Sequence, residues 1–186
     1  MREYLALGDV GGSTPLVKII DDTEYEDFGV LLFRTGFSSD ARWERFVVEW
    51  DLLLDNRLGE AGPETGLQRF AEKVFTGMVD DDCMSEVGAD NVALAFRMGF
   101  KEDDEIEPGL DIKMCLMADA ECITPVLERG ASGTPPFIKT VDVSLPRGGY
   151  DDYTGTFKAA IDSASQNPGV LTCAERGGEC SGVVAV

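Results

Sequence analysis

The chain has 186 residues, with 35 Asp plus Glu against 16 Lys plus Arg, no histidine and a net charge of -19. Its length fits one or two domains with an ample core, and 44% hydrophobic with 9% aromatic residues is a globular rather than a disordered composition. The charge argues against nucleic acid and anionic membranes as partners, and the lack of histidine removes the Ser-His-Asp and Cys-His dyads and the commonest metal ligand.

Residues 1–27 form a mixed prelude, with apolar runs at Tyr4–Leu7 and Leu16–Ile20 around a Gly11-Gly12 turn, then an acidic stretch from Asp21 to Asp27. Phe28 to Phe37, FGVLLFRTGF, reads as the first strand. Ser38, Ser39 and Asp40 are N-cap residues for a helix in which Trp43, Phe46, Val47, Trp50 and Leu54 recur at helical spacing. Gly59 to Gly66 breaks that pattern; Leu67, Phe70, Ala71 and Val74 fit a continuing helix, Val74 to Val79 equally fits a strand, and Asp80–Asp82 ends the element. Val92 to Phe100 alternates like a strand yet also stacks Val92, Phe96 and Phe100 four apart, so periodicity leaves it open. Leu110–Ala118 is a further strand, Ala120–Arg129 a short helix closed by Gly130, and Phe137–Ser144 a last strong strand. Thr156–Ala164 fits one more helix within a Gly-rich end segment, residues 145–186.

The N-terminus lacks the apolar core of a signal peptide, and no run approaches the roughly 18 apolar residues of a membrane span. Five irregularly spaced cysteines fit a reducing compartment, so a cytoplasmic protein is expected. Cys115 and Cys122 read as small core residues, while Cys173 and Cys180 flank a turn across which they are able to pair. With no His and no C-x-x-C, no metal site is expected.

FGVLLFRTGFSSDARWERF resembles the opening of a family of small fungal proteins without an assigned activity, whose first strand reads like GFVIYRT and runs into a WERF-like turn. VFTGMVDDD, DNVALAFR, LDIKMCLMADAECITPVL and FIKTVDV resemble that family's later elements more loosely. The likeness covers residues 28–144 and is strongest over Phe28–Phe46. It implies an α+β, ferredoxin-like βαββαβ sandwich with an extra helix between strands two and three, flanked by additional terminal segments. It also implies that Val92–Phe100 is helical, and that an open sheet face serves dimerisation as in dimeric α/β barrels.

Each of three strands carries one basic residue: Arg34, Lys113 and Lys139. Within each strand, alternation sets Arg34 with Val30 and Leu32, Lys113 with Cys115 and Met117, and Lys139 with Val141. Should all three share the open face, they make a positive patch for a carboxylate, enolate or phosphate-bearing ligand, with Trp43 or Tyr25 as apolar wall. Otherwise they are ordinary solvent-facing or edge-guarding residues. Trp43 and Trp50, seven apart, fit a core stripe as well as a stacking surface.

Asp9, Gly11, Gly12, Ser13 and Thr14 resemble the phosphate loop of sugar kinases and actin-like ATPases, but the chain is too short for that fold, and a hairpin turn is the plainer reading. Asp80–Asp82 and Glu102–Glu107 contain no EF-hand pattern and read as solvated loops. No carboxylate pair stands out as an acid/base couple, so no catalytic residue is assigned. Two functions are expected. One is a small-molecule-binding protein or cofactor-independent enzyme holding an anionic or carbonyl ligand at a sheet face or homodimer cleft. The other is a non-catalytic module whose acidic surface meets a basic partner.

Overall fold

The computed structural model describes residues 28–60, 74–101, 113–129, 134–148 and 154–161. The first strand, β1 (Phe28–Arg34), stops at Thr35-Gly36. The helix α1 (Asp40–Glu60) starts where the Ser39 hydroxyl accepts the Arg42 N–H at 3.3 Å, as an N-cap should. Its buried Trp43, Phe46, Trp50 and Leu53 recur at three- and four-residue steps, and Phe46 stacks on Trp43 with ring centroids 5.2 Å apart. The strand β2 (Val74–Val79) leads through a tight turn at Asp82–Met84 into α2 (Ala89–Phe96), which widens into a π turn over Arg97–Lys101. Val92–Phe100 is therefore helical: Val92 and Phe96, one turn apart, are fully buried, whereas Met98 is exposed.

Next come β3 (Met114–Ala118), α3 (Ala120–Leu127) and β4 (Phe137–Asp142). A fifth strand, β5 (Thr156–Ala160), replaces the helix expected over Thr156–Ala164. The reason is tertiary. Thr156 to Ala160 pair residue by residue with Val141 to Phe137, and this ladder overrides a weak local helical preference.

The architecture is mixed α and β, a five-stranded mixed sheet with three helices among the described residues, in strand order β2-β1-β3-β4-β5. β1 runs parallel to both β2 and β3, while β4 and β5 are antiparallel additions. The parallel β1–β3 pair is shared with a split βαβ unit, but the order departs from the ferredoxin-like expectation. The cause is α2. The link from β2 to β3 is a helical crossover that passes β1, and crossovers of one hand stepping in opposite directions fall on opposite faces. Accordingly α1 and α3 bury Trp50, Phe46 and Val126 against Leu32, Leu116 and Ile138 on one face. On the other, α2 packs Val92 and Phe96 against Leu31, Phe33, Cys115 and Val141. Both faces are covered, so the open face that the ferredoxin-like reading required is not present.

No helix among the described residues is long and apolar enough to cross a membrane. Among the described residues Cys83, Cys115 and Cys122 form no disulfide, and the last two are buried as expected. Tyr25, the Asp9–Thr14 turn, Glu102–Glu107, Gly130 and Cys173 with Cys180 lie outside the described residues.

Candidate functional site

Ligands of open α/β sheets bind beyond the carboxyl ends of the parallel strands, where successive crossovers diverge. Here the parallel strands β1 and β3 end side by side and both lead to helices on the same face. The space between their ends is closed by main chain. The Thr35 and Gly36 N–H groups both donate to the Ala118 carbonyl, at 2.9 and 3.2 Å, and the Thr35 carbonyl accepts the Glu86 N–H at 3.0 Å. The approach requires glycine, because a Cβ at Gly36 would lie 2.8 Å from the Ala120 nitrogen.

Charged side chains ring this closed crevice. Arg34 ends β1 and is only 4% exposed. Its Nη1 donates to both Asp80 oxygens at 3.1 Å, its Nη2 to Asp40 at 2.5 Å, and its Nε to the Gly36 carbonyl at 3.4 Å. The guanidinium carbon sits 4.1 Å from the Phe37 ring centroid and 5.3 Å from that of Trp43, an aromatic cradle for a buried cation. Burial pulls the Arg34 pKa down, but Asp40 and Asp80 outweigh it and lift it above its ordinary value. Asp40 is the first residue of α1, where a carboxylate also complements the helix dipole.

A second cluster forms at the start of α3. Asp119 caps that helix by accepting the Cys122 N–H at 3.1 Å, and its other oxygen meets Lys139 Nζ at 2.5 Å. Glu121 bridges Lys139, at 2.8 Å, and Lys158 of β5. Hydrogen bonds from these two lysines push the Glu121 carboxyl down to about 2. Burial lowers the Lys139 pKa, and Asp119 and Glu121 more than offset that, so its net shift is upward. At the end of β2, Asp81 accepts the Cys83 N–H at 2.9 Å, which holds its carboxyl below the usual range, and the carboxylate in turn raises the exposed Cys83 thiol.

The three cations expected on one face do not come together. Strand register aligns Arg34 with Ala118 on one face of the sheet, and Lys139 with Met117 on the other. Lys113 is exposed just before β3, at the end opposite Arg34. Of the expected ligand-binding residues that are described, only Arg34 and Trp43 are neighbours, and Trp43 is a core residue stacked on Phe46. Sequence reading missed Asp40, Asp80, Asp119, Glu121 and Lys158 as a set. The available signal was the shared ending of the parallel strands, since LLFR, GMVDDD and LMADAE each pass from apolar residues straight into charge.

Chemically, Arg34 and Lys139 are each already held by two carboxylates, so neither offers an open anion site. What faces outward is the other side of those carboxylates: Asp40 is 84% exposed, Asp80 42% and Glu121 53%. Asp81 and Asp82 are exposed beside them. Each such group retains acceptor lone pairs toward solvent. Among the described residues no group of three or more carboxylates or thiols is arranged to hold a metal ion. No protein-family model, curated protein or solved structure matches the chain.

Proposed function

We propose that the protein is a non-catalytic interaction module whose carboxylate-rich strand-end surface docks a lysine- or arginine-rich segment of another protein in a reducing, intracellular compartment. The observation that carries this reading is the saturation of Arg34: its charge is consumed internally by Asp40 and Asp80, whose outer sides remain available as acceptors. A net charge of -19 adds long-range attraction for a basic partner. Among the described residues, Cys83, Cys115 and Cys122 are outside any disulfide, which accords with a reducing compartment. The small-molecule reading relied on Arg34, Lys113 and Lys139 acting together, and their separation leaves it without its anion-holding group.

Titration of the full chain with a lysine-rich peptide tests the proposal. Affinity should fall with added salt, and Asp80→Asn with Asp81→Asn and Asp82→Asn should weaken it more than removing equal charge on α1 at Glu44, Asp51 and Asp55. Equal losses from the two sets would mean non-specific attraction by net charge and would overturn the reading.

A further inference from the structure

At the sheet edge, β2 pairs with β1 alone among the described residues, in an unbroken register from Val74 to Val79. Its six residues, VFTGMV, carry no charge. Natural edges are commonly guarded by a lysine, a proline or a bulge. The opposite edge strand, β5, carries Lys158, but β2 has no such guard within its span. In a parallel ladder every second residue turns its N–H and C=O toward the neighbour, so the alternate residues of β2 turn theirs outward. The edge is also held in shape. Trp50 Nε1 donates to the Thr76 hydroxyl at 3.2 Å, and Arg34 fixes Asp80 at the end of the strand.

We propose that the basic segment docked at the strand ends is an extended one, and that it adds to the free edge of β2 as a further strand. Strand addition presupposes the docking reading above and supplies its mode: main-chain hydrogen bonds along β2, and charge pairing at Asp80–Asp82. Charge selects the occupant. A net charge of -19 opposes pairing with a second copy of the chain and draws in a strand of opposite sign. β2 runs directly into Asp80, Asp81 and Asp82, all three exposed.

The side chains of β2 fit the same occupant. Met78 packs on the cluster beneath α1, and Val79 on the cluster beneath α2, so both faces of the sheet reach this edge with apolar residues. All six residues are half-buried, and the surface they still expose is what the side chains of an adjoining strand cover. The fitting segment therefore has an uncharged stretch as long as β2, free of proline so that its own N–H groups remain, and lysine or arginine where it passes the aspartates.

Titration of the full chain with two peptides, read by affinity and by amide exchange, tests this. Lys-Lys-Val-Thr-Val-Thr-Val-Lys-Lys offers a strand, while Lys-Lys-Gly-Ser-Gly-Ser-Gly-Lys-Lys carries equal charge with little strand propensity. The strand peptide should bind about tenfold tighter and keep part of its affinity at high salt, where the glycine peptide loses its own. It should also slow exchange at those amides of residues 74–79 that exchange freely in the unbound chain. Asp81→Asn with Asp82→Asn should weaken both peptides. Equal affinity and equal salt dependence for the two peptides overturn strand addition. So does exchange in β2 that the strand peptide leaves unchanged, or that is already slow at every amide of the unbound chain, the mark of an edge covered by the chain's own residues. In those cases weaker binding by the aspartate variant shows that docking by charge stands without the added strand. Binding by neither peptide, or binding undiminished in the aspartate variant, overturns both readings.

Discussion

Arg34 and Asp80, 46 positions apart in sequence, are joined by hydrogen bonds from one guanidinium nitrogen to both carboxylate oxygens at 3.1 Å. The contact ties the end of β1 to the end of β2. It is asymmetric, since Arg34 is 4% exposed and Asp80 42%. Removing the cation leaves carboxylates that water still reaches; removing the anions strands a buried charge. Arg34→Met should therefore destabilise by about 1 kcal/mol, and Asp40→Asn with Asp80→Asn by about 3–5 kcal/mol. Denaturant unfolding measures both, and an equal loss for the two would show that Arg34 is not effectively buried.

The acid limb of the stability curve should carry the signature of Glu121. Its carboxyl ordinarily titrates near 4.5 and is pushed down to about 2 by Lys139 and Lys158. A lowered folded pKa contributes stability that is present above 4.5 and disappears as pH falls toward 2. Because Glu121 is about half exposed, solvent screening keeps the effect small. Melting temperatures of the unmodified chain and Glu121→Gln should differ at pH 6 and converge near pH 2; a constant gap would rule out the lowered pKa.

Thr140 is fully buried, and its hydroxyl has no hydrogen-bond partner among the described residues. Thr140→Val keeps the shape and removes the unsatisfied group. It should stabilise by about 1 kcal/mol, raising Tm by about 2–4 °C. A lower Tm would mean that the hydroxyl is bonded in solution.

Gly155 and Gly148 both adopt positive φ, +70° and +86°. A Cβ at Gly155 would overlap the buried Leu145 side chain, whereas one at Gly148 would meet open space. Gly148→Ala should cost only the left-handed strain, about 1–2 kcal/mol, and Gly155→Ala about 1–3 kcal/mol more. Thermal denaturation of the pair isolates the steric part. Equal losses would place Leu145 elsewhere.

Thiol labelling should follow electrostatics as well as exposure. Burial drives the Cys122 thiol up to about 12, and Cys115 is equally buried. Exposed Cys83 is held in its protonated form by Asp81. Since the thiolate is the nucleophile, Cys83 should react in the folded chain more slowly than free cysteine, and Asp81→Asn should accelerate it. Site-resolved mass spectrometry reads these rates, and an unchanged rate in Asp81→Asn would exclude the carboxylate as the cause.

Local features were legible in the sequence. Ser39 and the Trp43–Phe46–Trp50 spacing marked α1, and the apolar runs around Leu32, Leu116 and Ile138 marked three strands. Relations between strands were not. Alternation assigns Arg34 and Lys139 to faces within their own strands, but only the pairing of Arg34 with Ala118 and of Lys139 with Met117 decides whether those faces coincide. The carboxylate partners were hidden for the same reason. Asp80 lies nearest Arg34 only once β2 is laid parallel beside β1, and nothing within either segment selects that arrangement over a hairpin to β3.

The fifth strand alters what counts as a finished molecule. Ala159 and Ile161 belong to the same cluster as Trp50, Leu32 and Val126, and the Ile161 N–H closes on the Pro136 carbonyl at 2.8 Å. During synthesis, α1 therefore has to wait for a piece of its own core that leaves the ribosome a hundred residues later. Until Ile161 emerges, β4 is the raw margin of the sheet and the apolar side of α1 and α3 stays partly uncovered, so a nascent chain halted after Asp142 is a natural client for chaperones.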